Sequence, residues 1–335
     1  MRALYCRQWC EFKELKIEDV PRPEMRPGCV RVRVAYAGLG FAISLVVAGK
    51  YQRKPPLPFV PGTEVTGTVM EVGAGVTRFK RGDRVLAILD WGGFADEALT
   101  TEETVYPLPA NLDLRSTTHL GISYATVYGA LIWQARLQAG ETLLVHGAAG
   151  GVGLAAIEIG KLLGARVIAC ASSEDKRATA KAHGADLVLA SSDFRQPVKD
   201  FTSGRGANVI FDPVGGEVFE ESLRCIATEG RIIPIGFAGG RAAQIPANIL
   251  LVKNIAALGF NFGTYVGWGL TDERKLYAPR VQAMMRELFT WASEGKLHPT
   301  VSHCFELEQY VEAMDVVLAR GSTGKVALKL NGDPA

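Results

Sequence analysis

The sequence predicts an α/β protein in two parts: a strand-rich first third, then a doubly wound parallel sheet with its covering helices. Three observations carry this. Up to about Gly121, proline and glycine punctuate short alternating runs; beyond it, short apolar runs alternate with helical segments; and a glycine-rich turn joins the first such run to the first helix.

In the first third, Val30, Val32 and Val34 alternate with Arg31 and Arg33, the two-residue period of a half-buried strand. Proline-rich stretches at 21–27 and 55–61, with Gly62, Gly67, Gly73, Gly75 and Gly82, mark turns between further strands. From Glu141 the chain reads strand 142–146, turn 147–153, helix 154–163, strand 166–171, helix 174–183 and short strand 186–189. Apolar runs at 209–211 and 232–235 add buried parallel strands, so the middle of the chain is a βαβ repeat of Rossmann type. In the tail, 280–294 and 307–320 have the pattern of amphipathic helices and 325–330 that of a closing strand.

A length of 335 residues suits two domains, and 48% hydrophobic against 21% charged residues gives each a core to bury. The 37 basic residues nearly balance 35 acidic ones and form no long run of one sign, which argues against a nucleic-acid or membrane-surface module. Charged residues interrupt the first nineteen positions, so no secretory or transit leader is read there, and no apolar stretch is long enough to cross a bilayer. A cytoplasmic protein is expected. The six cysteines contain no C-x-x-C pair and read as reduced thiols.

The strongest chemical signal is Ala148-Ala149-Gly150-Gly151-Val152-Gly153, between a predicted strand and a predicted helix. A diphosphate needs close backbone approach there: Gly150 removes an obstructing Cβ, Gly153 allows tight helix-strand packing, and the helix start offers N–H groups to the anion. Ala149, Gly150, Gly151 and Val152 are therefore the expected cofactor-binding turn, although Ala148 stands where G-x-G-x-x-G has its first glycine. At the end of the second strand, where an acidic side chain would hold a ribose 2′-hydroxyl, the chain has Ala171-Ser172-Ser173, followed by Lys176 and Arg177. Small hydroxyls and two cations suit a 2′-phosphate, so NADPH is expected over NADH. Ser173 also reads as a helix N-cap with Lys176 and Arg177 on a solvated face, and both roles can hold together.

Together with that turn, further landmarks form one pattern: Leu57-Pro58-Phe59-Val60-Pro61-Gly62-Thr63-Glu64, Gly92-Gly93-Phe94-Ala95, Tyr124-Ala125-Thr126-Val127-Tyr128, Asp212-Pro213-Val214-Gly215-Gly216 and Gly324-Lys325. Over nearly its whole length the chain resembles the medium-chain dehydrogenase/reductase superfamily, and within it the zinc-free NADPH:quinone oxidoreductases of the zeta-crystallin type. The resemblance implies a GroES-like catalytic domain at 1–121, a Rossmann NADPH-binding domain at 122–262 and a return of 263–335 to the first domain, with the active site in a cleft. It implies that Thr126 lies near the nicotinamide, that Gly236, Phe237, Phe260 and Phe262 line the ribose and nicotinamide end, that Phe194 flanks the adenine, and that Lys325 belongs to the cofactor site. Core packing is the alternative role for these aromatic residues. A homodimer joined through the Rossmann domains is also implied, with 248–262 either the pairing segment or simply the last buried strand.

Zinc-dependent relatives carry a Cys soon after the second strand and a His in a G-H-E segment, where this chain has Gly40 and Thr63. Its five histidines show no metal spacing, so no metal is expected and Glu64 reads as a structural hydrogen-bonding carboxylate. Without a Lewis acid the expected acceptors are those that take hydride readily, quinones first and conjugated enones second. Ser44, Tyr51, Thr63 and Thr126 are the candidate catalytic hydroxyls. Many relatives have a polar set in the segment aligned with 38–51, whereas Gly40, Ile43 and Leu45 stand here, predicting an apolar pocket for a bulky acceptor. A non-catalytic NADPH-binding role, structural or RNA-binding, stays open on the same loss, with near-neutral charge against RNA.

Overall fold

The structure, a computed structural model, describes residues 1–333. The chain divides into two units: Met1–Ile122 with Gly263–Glu294 and the chain from Pro299 onward, and Ser123–Phe262 with Gly295–His298. Of the tail assigned above to 263–335, residues 334 and 335 lie outside the described residues, and 295–298 go with the second unit.

In the first unit the long strand Cys29–Leu39 organises the sheet. Glu64–Val72 pairs with most of its length, Glu97–Thr101 with its first half and Lys325–Lys329 with its second half. Arg84–Ile88 and Val105–Pro107 extend the sheet beyond Glu64–Val72, and Val301–Glu306 closes the other edge. Cys29–Leu39 is not the half-buried strand that its alternation predicts. It is buried on both faces: Arg31 points inward and is held by Glu71 at 3.2 Å, Glu97 at 3.6 Å and the Pro23 carbonyl at 2.9 Å, so the alternating charge meets partners rather than solvent. The register pairs Leu39 with Val326, Gly38 with Ala327, and Ala37 with Val65. Lys325 and Glu64, the first residues of the two flanking strands, therefore meet beside Gly38.

The second unit is a six-stranded sheet in the order Leu187–Leu189, Arg166–Cys170, Thr142–Val145, Ala207–Asp212, Ile226–Pro234, Ala256–Ala257, and all its pairings are parallel. This is the doubly wound arrangement in which the chain reverses direction across the sheet beside the first strand. The predicted helices 154–163 and 174–183 are Gly151–Leu162 and Glu174–Ala182. Segment 248–262 is not one continuous buried strand: Ala247–Lys253 is a helix and only Ala256–Ala257, the edge strand of the sheet, is extended. Its apolar residues run consecutively and so carry no period. Folded as a helix they divide, Ile249 and Leu250 packing on the core while Leu251 and Val252 are 77% and 78% exposed. In the tail, the helix predicted at 280–294 begins earlier, at Arg274, and runs to Ser293. Among the described residues no helix is long and apolar enough to cross a membrane.

Candidate active site

The first unit holds a cavity of about 150 Å³. Strand Cys29–Leu39 ends at its edge, and helix Phe41–Val47, which follows directly, turns Ile43 and Val46 into its wall. Phe59, Trp91 and Trp268 line it as well, so the pocket is apolar as the sequence predicts, with Gly40 and Ile43 in its lining and Leu45 outside it. At Trp91 and Trp268 lies Arg53, whose guanidinium is 5.2 and 5.7 Å from the two ring centres and donates to Asp90 Oδ1 at 2.5 Å. Arg274 donates to both oxygens of the same carboxylate, at 2.8 and 2.9 Å, and fixes it from the opposite element.

At another part of the wall Lys325 Nζ donates to Glu64 Oε1, and Glu64 Oε2 accepts the Ile122 N–H at 2.9 Å. Both side chains line the cavity although Glu64 is 2% and Lys325 8% exposed. Two glycines make room for the pair. A Cβ on Gly38 would lie 2.5 Å from Glu64 Oε1 and 2.7 Å from Lys325 Cε, and one on Gly121 would lie 2.8 Å from Glu64 Oε2. Sequence reasoning expected Lys325 beside the cofactor and missed this pair, together with the Arg53–Asp90–Arg274 cluster. The glycines were the available signal: Gly38, close before Gly40, removes a side chain on a strand end without a turn to require it.

The candidate hydroxyls separate. Tyr51 and Thr63 line the cavity. Ser44 lies outside the lining and donates to the Phe41 carbonyl at 2.7 Å, a bond local to its own helix. Thr126 belongs to the second unit, buried in the helix Ala125–Tyr128.

In the second unit the turn after Thr142–Val145 is drawn tight: Ala148 N donates to the Cys170 carbonyl and Gly150 N to the Gly147 carbonyl, each at 3.0 Å. A Cβ on Gly153 would lie 2.3 Å from the Gly147 carbonyl oxygen, so the helix packs on the turn only because that position is glycine. No side chain caps the helix at Gly150, and Gly150, Gly151 and Val152 are half-exposed while Ala149 is buried. These features fit a diphosphate held on backbone N–H groups. At the end of Arg166–Cys170, Ser172 and Ser173 are exposed; Ser173 Oγ accepts the Lys176 N–H at 3.4 Å, and Arg177 Nη1 donates to the Ala171 carbonyl at 3.3 Å. Ser173 is thus an N-cap, and the guanidinium of Arg177 is tied to the strand end.

The aromatic candidates fall into different settings. Phe194 is 3% exposed, with its ring edge-on to His146 at 4.8 Å, and also borders a surface cavity with Arg195, Lys199 and Glu221. Phe237 is exposed and lies over Gly215, while Gly236 follows the Pro213 carbonyl closely. Phe260 presses on Gly129 and meets Trp133 edge-on at 6.5 Å, and Phe262 is buried. Core packing is part of the role of Phe194, Phe260 and Phe262.

Comparison with known proteins places this architecture. Residues 26–110 match the alcohol dehydrogenase GroES-like domain and residues 151–278 the zinc-binding dehydrogenase family. The rat quinone oxidoreductase-like protein 2 is 40% identical over 334 residues, spanning 98% of this chain and 92% of its own. The chain belongs to the medium-chain dehydrogenase/reductase superfamily, in its quinone oxidoreductase family. Among solved members of this superfamily, the quinone oxidoreductase of Pseudomonas syringae superposes with a TM-score of 0.88 at 30% identity, covering 98% of this chain and 99% of that one. A mycobacterial protein solved with NADPH superposes with a TM-score of 0.89 at 25% identity, covering 98% and 100%. The zinc-binding name of one matching dehydrogenase family has no counterpart at Gly40 and Thr63, and among the described residues no three His, Cys, Asp or Glu side chains are grouped to hold a metal.

Proposed function

We propose that this chain reduces quinones, and conjugated enones as related acceptors, with NADPH and without a metal. The observation that carries the reading is the apolar, aromatic-lined cavity of the first unit, with its charged groups paired at two points of the wall, Arg53 with Asp90 and Lys325 with Glu64. The names of the relatives support it, as does the NADPH-bound neighbour. When bound, NADPH supplies a hydride from its reduced nicotinamide ring. The turn 147–150 and the start of helix Gly151–Leu162 hold the diphosphate. Ser172, Ser173, Lys176 and Arg177 hold the additional phosphate, and the neighbouring carboxylates Glu174 and Asp175 belong to the first turn of the helix rather than to the strand end. Ile43, Val46, Phe59 and Trp91 exclude water and orient a flat acceptor, while Tyr51 and Thr63 offer hydroxyl protons from the wall. A homodimer belongs to this reading, supported by Leu251 and Val252 standing exposed beside the edge strand Ala256–Ala257, and sedimentation tests it.

The deciding experiment mixes the protein with NADPH or NADH and a panel of quinones, enones and simple aldehydes, and follows loss of the reduced-cofactor absorbance. Faster turnover of quinones with NADPH is expected. Turnover confined to simple aldehydes, or none on any acceptor, overturns the proposal.

A further inference from the structure

We infer that Cys6 and Cys10 are a peroxide-sensitive thiol pair whose closure into a disulfide loosens the wall of the apolar cavity from behind. The pair goes beyond the function proposed above, and only its effect on the acceptor rests on that reading.

All six cysteines are free, and these two are brought together by the chain itself. After the strand Arg2–Tyr5 the backbone bends through 7–9, and Cys6 Sγ donates to the Gln8 carbonyl at 3.1 Å inside that bend. The two thiols lie within hydrogen-bonding reach of one another. The bend is fastened to the cavity wall at both ends. Cys6 and Phe59 exchange two backbone hydrogen bonds, at 2.9 and 3.0 Å. Cys10 N donates to the Val47 carbonyl at 3.2 Å, at the end of helix Phe41–Val47. Between these ties Trp9 packs on Phe59, ring centres 6.0 Å apart, and covers Gly49, where a Cβ would lie 2.9 Å from the indole. Phe59 lines the cavity, as do Ile43 and Val46 of the helix.

The two thiols differ. Cys6 is fully buried, and burial together with Cys10 pushes its pKa up to about 12. Cys10 is half-buried; burial raises it as well, but the hydrogen bond from Cys6 opposes that rise. Cys10 is therefore the thiol that ionises first and meets an oxidant from solvent, and Cys6 the one that resolves it. The step balances. The Cys10 thiolate attacks one oxygen of hydrogen peroxide, the O–O bond breaks and hydroxide leaves, giving a sulfenic acid. Cys6 sulfur then attacks Cys10 sulfur, the S–O bond breaks and the S–S bond forms. Both thiol protons end in the two waters, so two thiols are oxidised and one peroxide is reduced. An S–S bond of about 2.05 Å is much shorter than a thiol hydrogen bond, and closure draws the ends of the bend together. Phe59 holds Cys6 by two backbone bonds and Val47 holds Cys10 by one longer bond, so the tie to the helix is the one that yields.

The test treats the full chain with hydrogen peroxide and reads its mass. Loss of two hydrogens is expected, reversed by dithiothreitol, with peptide mapping placing the link between residues 6 and 10. Amide exchange then quickens at Cys10 and along 41–47, and with quinone and NADPH the acceptor KM rises about fivefold, the worth of one hydrogen bond. Cys10→Ser under the same peroxide gains no link and keeps its exchange rates and KM, which separates the pair from oxidation elsewhere. A Cys10 that stays a thiol, or that passes to sulfinic acid with Cys6 unlinked, overturns the inference. A complete link that leaves exchange along 41–47 unchanged overturns the coupling to the cavity. Absence of turnover on every quinone and enone overturns the proposed function instead, and mass and exchange still decide the pair.

Discussion

The hydroxyl of Tyr124 donates to Glu158 Oε2 at 2.7 Å, inside the second unit. The carboxylate is otherwise bonded to His183 Nδ1 at 2.6 Å and to the His298 N–H at 2.9 Å, so Tyr124 completes a buried polar set. Burial and the neighbouring carboxylate hold the phenol proton in place, its pKa well above the usual tyrosine value. Tyr124→Phe is expected to destabilise the protein by about 1.5–3 kcal/mol, the worth of a hydrogen bond to a charged group. Thermal unfolding measures this, and a melting temperature unchanged by the variant would show that the bond contributes nothing.

Cofactor preference is expected to turn on the strand end. Ser172→Asp places a carboxylate where NADPH needs room for its extra phosphate and where NADH offers a ribose hydroxyl pair. Calorimetry should show NADPH affinity falling at least tenfold while NADH affinity rises. Arg177→Ala should weaken NADPH alone. Equal losses for both dinucleotides would mean that these residues only shape the helix start.

The three hydroxyls of the first unit are expected to separate in turnover. Tyr51→Phe and Thr63→Val alter the cavity wall and should each lower kcat/KM for the acceptor, by about tenfold where a proton or hydrogen bond is lost. Ser44→Ala should leave it unchanged, because that hydroxyl is spent on the Phe41 carbonyl. Steady-state kinetics on one quinone decides the order, and silence in all three variants would show that no hydroxyl of this unit is essential.

What the sequence disclosed and what it hid follow from range. The turn at 147–153 was legible because glycine spacing, strand and helix lie within one continuous segment. Parallel strands such as Ala207–Asp212 were legible because burial on both faces leaves an apolar run. Glu64 and Lys325 lie 261 residues apart, and only the pairing of their strands with Cys29–Leu39 joins them. Read separately, Glu64 is a structural hydrogen-bonding carboxylate and Lys325 a cofactor-site cation, and neither reading names the other as its partner. Helix Ala247–Lys253 was hidden for the opposite reason, since consecutive apolar residues fit strand and helix alike.

Acid stability is expected to depend on His146, which follows the strand Thr142–Val145. Its ring is buried against Phe194, and its Nε2 lies 2.8 Å from Ser222 Oγ. The Ser222 hydroxyl donates to the Val218 carbonyl, so the serine oxygen accepts from His146 and the imidazole is the neutral Nε2–H form. Burial lowers the pKa of His146 from 6.5 to about 3. Above pH 6.5 the ring is neutral in both folded and unfolded chains, and stability is at its full value. Between 6.5 and 3 only the unfolded chain takes up the proton, so stability falls as pH falls, by at most about 1.4 kcal/mol per pH unit for this one group; below 3 the loss is complete. His146→Gln keeps an N–H for Ser222 and removes the titration. Its stability should therefore decline less steeply than that of the natural sequence between pH 6 and 4, by the slope of one proton. Carboxylates titrate in both proteins and cancel in the difference. Parallel unfolding curves across that range would show that His146 already carries its proton in the folded chain.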